Sequence, residues 1–257
     1  MIERTRAVLV PVLGVILCLF TLVEVNYSHM QPQSRLALFG LLGIVLCFLL
    51  YPLHPRFKDR PIFGIIDFLL VAATVVCFGY VIVQTEPIFK SFWAGGQSLG
   101  NRAGDETLLD FWMGLVGLLL VLEATRRSIG LALPLLALVF VAHAYYGEVL
   151  PDWLLPHSQM TLANVVNVTF LQSLGVFGKA TQVMFTYVFL FVVFGGFLEV
   201  TGATQFIVDF AERLFGRSSG GPAKVAVLGS GLMGSLSGSA VATCKKVTGG
   251  STSSSIM

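Results

Sequence analysis

The chain has 257 residues, of which 55% are hydrophobic and only 12% are charged, with a net charge of +2; its mean hydropathy is +0.83. Soluble domains carry about 25% charged residues, so this composition excludes an ordinary soluble domain and predicts an integral membrane protein. The basic residues are scattered between apolar runs and form no basic face, which excludes a nucleic-acid partner.

Apolar segments follow one another along the chain. A helix of about 20 apolar residues crosses a hydrocarbon core of ~30 Å. The first segment resembles a secretory signal peptide, but its length and the further spans behind it indicate a retained helix. We therefore predict an all-α fold, a polytopic transmembrane helix bundle. Its expected spans are 7–25, 36–53, 62–83, 108–122, 131–146 and 183–200, followed by a small-residue segment at 222–243.

Two connecting segments have amphipathic patterns. In 161–179, Asn164 and Asn167 are three residues apart and are expected on one face, with Val165, Val168 and Leu171 on another. This spacing predicts an interfacial or partly re-entrant helix. In 203–217, apolar and charged side chains also fall on different faces, which predicts a helix along the cytoplasmic interface. Its expected apolar face consists of Phe206, Ile207, Phe210 and Leu214.

Lysine and arginine residues are distributed unequally between alternate loops. Cytoplasmic loops carry an excess of these residues, and the count favours a cytoplasmic amino terminus. The side predicted to be cytoplasmic carries Arg4, Arg6, Arg56, Lys58, Arg60, Arg126, Arg127, Arg213, Arg217 and Lys224. The opposite side carries Arg35, Lys90, Arg102 and Lys179.

Several titratable residues lie within or near the spans. Glu123, beside Arg126 and Arg127, is either a coupling carboxylate or part of an ion pair at a helix end. His143 is either a proton relay or an interfacial hydrogen-bonding residue. Three further carboxylates are expected to reach headgroup water by snorkelling. These are Glu24, Asp67 and Asp110.

Glu199 ends the sixth expected span just before Gly202, a residue that permits a break in the helix. The carboxylate either caps the following interfacial helix through its N–H groups or contacts a substrate. Both interpretations make Glu199 and Gly202 structural or coupling candidates.

No resident cofactor, metal or catalytic site is expected. Three of the four cysteines lie in separate apolar runs without CxxC spacing or a nearby histidine, which is typical of small packing residues. Ser237 and Ser239 lack a neighbouring base and a GxSxG context. The sequence therefore predicts a protein that is not an enzyme.

The stretch GGPAKVAVLGSGLMGSLSGSAVA, at 220–242, is hydrophobic but dense in glycine and serine. Such residues either let transmembrane helices approach closely or permit an unwound hairpin whose carbonyl and hydroxyl oxygens bind an ion near the midplane. The residue pattern alone leaves both interpretations open.

Three ordered motifs carry a family resemblance. They are FGGFLEVTGA, FGRSSGGPAKVAV and GSLSGSAVA, within residues 177–242. This run resembles the permease of TRAP transporters, in the fused branch associated with TAXI-type binding proteins. The earlier spans resemble the small-subunit-like portion that fused permeases place first.

The resemblance implies a secondary transporter of a bacterial or archaeal cytoplasmic (inner) membrane. A TAXI-type extracytoplasmic binding protein would deliver an organic anion, and a sodium gradient would drive import by an elevator motion. The resemblance also favours the re-entrant hairpin over simple packing at 222–243. It assigns substrate or sodium binding to Ser235, Ser237, Gly238 and Ser239.

The resemblance also predicts the domain organisation. We expect small-subunit-like helices at 1–150, the start of the large transport subunit at 151–242 and an atypical polar tail at 243–257. The tail carries Lys245 and Lys246 where the family continues with a hairpin turn, which predicts an incomplete permease lacking a second hairpin. The alternative function is a structural or regulatory membrane scaffold without transport activity.

Overall fold

The computed structural model describes residues 2–51, 61–102, 104–105, 107–147, 160–215 and 220–237. The described part of the chain is helical and contains no strand, which confirms the all-α prediction. We number its α-helices α1 Ile2–Asn26, α2 Pro32–Leu50, α3 Pro61–Thr85, α4 Leu108–Ser128, α5 Ala132–Tyr145, α6 Leu162–Val166, α7 Lys179–Val183, α8 Phe189–Val200, α9 Ala203–Phe215 and α10 Gly221–Ser237. Shorter 3-10 turns lie at Pro87–Phe92, Ala94–Gly96 and Leu99–Arg102, and π turns lie at Asn167–Leu171 and Met184–Val188.

Five helical segments are long and apolar enough to cross a membrane. They are Val8–Asn26, Pro32–Leu50, Ile66–Thr85, Leu108–Ser128 and Lys179–Val200. These segments confirm the prediction of a polytopic helix bundle.

One expected span is shorter in the structure. The fifth forms α5, which has 14 residues and is therefore about 21 Å long at 1.5 Å per residue, less than the ~30 Å hydrocarbon core. The small-residue segment forms α10 up to Ser237, and residues 238–243 lie outside the described residues.

The chain divides into two compact units, Met1–Phe185 and Thr186–Met257. In the first unit, α3 packs against α2 and α4. Its core contains the buried rings of Phe78, Phe170 and Phe177, which meet edge to face with centroids 5.3 to 5.6 Å apart. This arrangement suits the quadrupoles of aromatic rings and joins α3 to the segment after α6.

Glycines on α4 allow α6 and its π turn to pack closely. A Cβ atom added at Gly117 would lie 2.2 Å from the Phe170 ring, and one at Gly114 would lie 2.8 Å from Val166. The expected two-faced pattern of 161–179 is therefore only partly correct. Asn164 is exposed as expected, but Asn167 is buried, because the glycine surface of α4 lets the segment approach closely enough to bury an additional face.

In the second unit, α9 packs against α10 and α8. Ala211 of α9 is fully buried, whereas Phe206, Phe210 and Leu214 are exposed. The rings of Phe206 and Phe210 are stacked, with centroids 6.3 Å apart. The apolar face predicted for this helix thus lies at the surface of the unit, and its placement along the cytoplasmic interface stays a prediction.

Candidate functional site

The predicted ion or substrate site falls at the carboxyl end of α10. Ser235 and Ser237 belong to the last turn of this helix. Gly238 and Ser239 lie outside the described residues. The structure therefore places two of the four predicted residues on one helical turn.

Gly229 and Gly231 of α10 make no close contact with another described helix. Apart from chain neighbours and the backbone of α10 itself, no described heavy atom lies within 4 Å of a Cβ atom built at Gly229 or Gly231, although Gly229 is buried. By contrast, Gly114 and Gly117 of α4 accommodate side chains from the α6 region. Among the described residues, close packing on glycine is therefore seen at Gly114 and Gly117, whereas none is seen at Gly229 and Gly231.

An apolar groove lies between α9 and the start of α10. It is lined by Phe215, Ala223, Lys224, Val227 and Leu228. The backbone positions of Ser235 and Ser237 are two to four turns further along α10 than the lining residues of this helix.

Helix α8 ends just after Glu199, as the sequence predicts. Glu199 lies in the last turn of α8 and is exposed. Gly202 follows with φ of +80°, in the left-handed region that glycine adopts without steric cost. Its backbone N–H donates to the Glu199 carbonyl oxygen over 3.3 Å, and α9 begins at the next residue.

A network of charges surrounds Glu123 at the carboxyl end of α4. Glu123 Oε1 accepts from Arg126 Nη2 over 2.7 Å and from Arg127 Nε over 2.8 Å. The predicted ion pair is thus present, formed with cations three and four residues further along the same helix.

Asp67 belongs to the same network, and its predicted snorkelling is wrong. Its Oδ1 lies 2.7 Å from Arg127 Nη1, and the exposed fractions of the two side chains are 5% and 1%. Arg127 also lies over the Phe48 ring, 4.9 Å from the centroid, and Nη1 donates to the carbonyl oxygen of Tyr51 over 3.3 Å. The carboxylate of Asp67 has a buried cation from another helix, so it does not need headgroup water.

Asp110 is also buried, so its predicted snorkelling is wrong. Hydrogen-bond donors of the protein satisfy both oxygens of its carboxylate. Its Oδ1 accepts from Tyr80 Oη over 2.6 Å and from Arg102 Nη2 over 2.7 Å. Its Oδ2 accepts from the backbone N–H and the hydroxyl of Thr107, each over 2.8 Å, and Thr107 in return caps α4. Asp110 therefore holds the start of α4 to α3 and to the intervening loop.

Glu24 is the third carboxylate for which the snorkelling prediction is wrong. Its side chain is only 4% exposed. Oε1 accepts from the backbone N–H groups of His29 over 3.0 Å and Met30 over 2.8 Å, so the carboxylate stabilises the turn between α1 and α2. Glu86 makes a similar contact with the next residue: its Oε1 accepts from the backbone N–H of Gln31 over 2.8 Å.

The remaining candidates form no metal centre among the described residues. No group of three or more His, Cys, Asp or Glu side chains there is placed to hold a metal ion. His143 lies in the last turn of α5 and is half-buried, near the edge-to-face pair of Tyr145 and Tyr146. Its two interpretations, proton relay and interfacial residue, stay predictions.

Sequence reasoning missed Arg102 and Tyr80 as partners of Asp110. Arg102 appeared only as a loop charge. A local signal existed for the helix cap, since Thr107 and Asp110 have the spacing of a capping box. No local pattern brings Tyr80 and Arg102 to the same carboxylate, because that meeting depends on how α3 and the loop pack.

Comparison with known proteins gives one finding. Residues 116–257 match the family model described as "Tripartite ATP-independent periplasmic transporter, DctM component". The matched range includes Glu123, Glu199, Gly202 and the predicted site residues of α10. No curated protein and no solved structure matches the chain. Because the match covers more than half of the 257 residues, the chain belongs to the DctM family of TRAP transporter permease components.

Proposed function

We propose that the chain is the membrane permease of a tripartite secondary transporter that imports an organic anion with a sodium gradient. The observation that carries this proposal is the DctM match over residues 116–257. The five apolar helices long enough to span a bilayer support it, because a permease must enclose its route within such helices. The alternative of a membrane scaffold without transport has no observation that specifically favours it.

The proposed ion and substrate site comprises Ser235, Ser237, Gly238 and Ser239. Hydroxyl and backbone carbonyl oxygens are suitable ligands for a hard cation such as sodium, and interrupted helices present them at the membrane midplane in secondary transporters.

The proposed partner is an extracytoplasmic solute-binding protein of the TAXI type, and the proposed location is the cytoplasmic membrane of a bacterium or archaeon. The family description, a tripartite periplasmic transporter, supports a binding-protein partner and a membrane that borders a periplasm. The motifs near Gly202 and at 234–242 are the basis for the TAXI branch. We assign small-subunit-like helices to 1–150, the start of the large subunit to 151–242 and a polar tail to 243–257.

We propose that Glu199 and Gly202 have structural roles and do not contact the substrate. Gly202 has a positive φ between α8 and α9, and the proposed role of Glu199 is to fix the end of α8 at this break. Such a break lets α9 take a direction of its own, which an interfacial helix requires.

Sodium-dependent alkylation tests the proposed site. The variant Ser237→Cys is prepared in a background whose native cysteines are replaced, reconstituted into liposomes and treated with a maleimide in sodium or choline chloride. Sodium is expected to slow alkylation severalfold at position 237. The matched control is Ser230→Cys, two helical turns earlier on α10, where the rates in the two salts are expected to agree. Equal alkylation rates in both salts at position 237 would show that sodium does not bind at this site.

A further inference from the structure

The segment Pro87–Phe92 exposes large apolar side chains on a folded loop. Ile88 is 84% exposed, Phe92 is 71% exposed and Phe89 is 36% exposed, and Lys90 between them is exposed as well. Neighbouring exposed side chains of this size mark an interaction surface rather than a solvated loop.

The loop is fixed against the end of α3. Gln84 Nε2 donates to the Phe92 carbonyl oxygen over 3.1 Å, and Trp93 Nε1 donates to the Val83 carbonyl oxygen over 3.1 Å. The backbone N–H of Ala94 donates to Gln84 Oε1 over 3.1 Å. Phe92 and Trp93 are therefore held at the level of the last turn of α3.

Arg102 holds the other side of the loop. Its Nη1 donates to the Ala94 carbonyl oxygen over 2.7 Å, and its Nη2 lies 2.7 Å from Asp110 Oδ1. The side chain is only 6% exposed. The apolar side chains of Pro87–Phe92 thus project from a loop that is tied to both α3 and α4.

The depth of this loop relative to the membrane indicates that lipid covers its apolar side chains. Ile66–Thr85, the apolar part of α3, has 20 residues and is long enough to cross a membrane, and its length at 1.5 Å per residue matches the ~30 Å hydrocarbon core. On this basis we place Thr85, its last residue, at the boundary between acyl chains and headgroups. A loop held beside that last turn lies in the same layer, where tryptophan and amphipathic segments partition favourably.

We propose that Pro87–Phe92 is an interfacial lipid anchor, with Ile88, Phe89 and Phe92 inserted into the acyl–headgroup boundary. Further along the same helix, α3 also exposes apolar side chains at Phe68, Leu69, Val75 and Val76. Trp93 has the amphipathic ring typical of this layer, and Lys90 has a long apolar stem with a charge that reaches the headgroups. This anchor does not depend on the proposed sodium coupling or substrate.

Collision accessibility of spin labels tests the anchor. Ile88→Cys and Phe92→Cys are each prepared in the full chain with its native cysteines replaced, labelled and reconstituted into phosphatidylcholine–phosphatidylglycerol vesicles. Asn101→Cys is the matched control, because Asn101 is exposed on the same loop but outside the 3-10 turn at Pro87–Phe92. We expect the ratio of oxygen to nickel-chelate accessibility to be severalfold higher at 88 and 92 than at 101.

Two results would overturn the proposal. The first is nickel-chelate accessibility at 88 and 92 that equals the value at 101. The second is high nickel-chelate accessibility at both positions that falls only when a solute-binding protein is added, which would identify the segment as a protein docking surface. Using two labelled positions keeps the test decisive if one variant does not fold.

Discussion

Arg127 donates from Nη1 to Oδ1 of Asp67 over 2.7 Å, although the two residues are 60 positions apart in the chain. The pair joins the end of α4 to α3. Arg127 lies within the range that matches the DctM family, whereas Asp67 precedes that range. A single arginine, also bound to Glu123 over 2.8 Å, therefore connects the family-matched part of the first unit to the helices before it.

Arg127→Gln is expected to destabilise the protein strongly. Removing one partner of a buried ion pair costs about 3 to 5 kcal/mol, because the other charge stays buried without compensation. The double variant Asp67→Asn with Arg127→Gln is expected to lose less stability than the sum of the two single changes. Unfolding in detergent, followed by circular dichroism, measures these differences.

The control for this charge pair is Arg126→Gln. The Arg126 side chain is 37% exposed, and exposed ion pairs contribute at most about 1 kcal/mol. A loss in Arg127→Gln no larger than that in Arg126→Gln would show that the Asp67 contact does not stabilise the bundle.

Gly117→Ala is expected to destabilise the packing of the α6 region on α4. The new methyl group would overlap the buried ring of Phe170, and overpacking of this kind costs about 1 to 3 kcal/mol. Gly79→Ala in α3 is the control, since no heavy atom lies within 4 Å of its added Cβ. Detergent unfolding of both variants measures the effect, and equal stability of the two would contradict the close approach at Gly117.

Arg102→Gln is expected to loosen the loop between α3 and α4. The change removes the ion pair with Asp110, and a neutral side chain replaces the charged donor to the Ala94 carbonyl oxygen. Amide hydrogen exchange in residues 86–102 should accelerate, because exchange reports local opening. Lys90→Gln is the control in the same loop, and it should leave exchange near Gln84 and Ala94 unchanged. Unchanged exchange in Arg102→Gln would show that this arginine does not hold the loop.

Tags inserted after Gln97 and after Gly130 are expected to report opposite sides of the membrane. The first position lies in the loop before α4 and the second follows the end of α4, a spanning helix. The excess of lysine and arginine near the second predicts that it is cytoplasmic. Both tags are tested with a membrane-impermeant reagent, and labelling of both from the same side would refute the predicted topology.

Much of the fold can be predicted from local sequence, because a helix that crosses a bilayer must be apolar and about as long as the hydrocarbon core is thick. Local sequence predicts the spans α1 to α4 and the helix break at Gly202. The amphipathic pattern of α9 is equally local, as the exposed rings of Phe206 and Phe210 illustrate. These elements can therefore be predicted without knowing which helices pack against them.

The side-chain contacts were less predictable because they depend on distant partners. The sequence predicts that Glu24, Asp67 and Asp110 reach water, yet each finds a partner inside the fold. Similarly, the glycines of α4 gain their role only when Phe170 packs on them. The predicted site on α10 is different, since its serines are recognised by motif and their role stays a proposal.

Solute uptake into proteoliposomes tests the proposed transport function most directly. The chain is reconstituted as it stands and, in parallel, with the sequence that follows the same motif in a DctM permease joined after Ala242. Labelled short-chain mono- and dicarboxylates are supplied with a TAXI-type binding protein. An imposed sodium gradient is compared with an equal potassium gradient.

We predict uptake of at least one of these anions by the continued form, dependent on both the sodium gradient and the binding protein, and strongly reduced by Ser237→Ala but not by Ser230→Ala. Uptake by the chain as it stands would support the same function. Absence of sodium-dependent and binding-protein-dependent uptake in both forms, with folded protein in the vesicles, would contradict the proposed transport function.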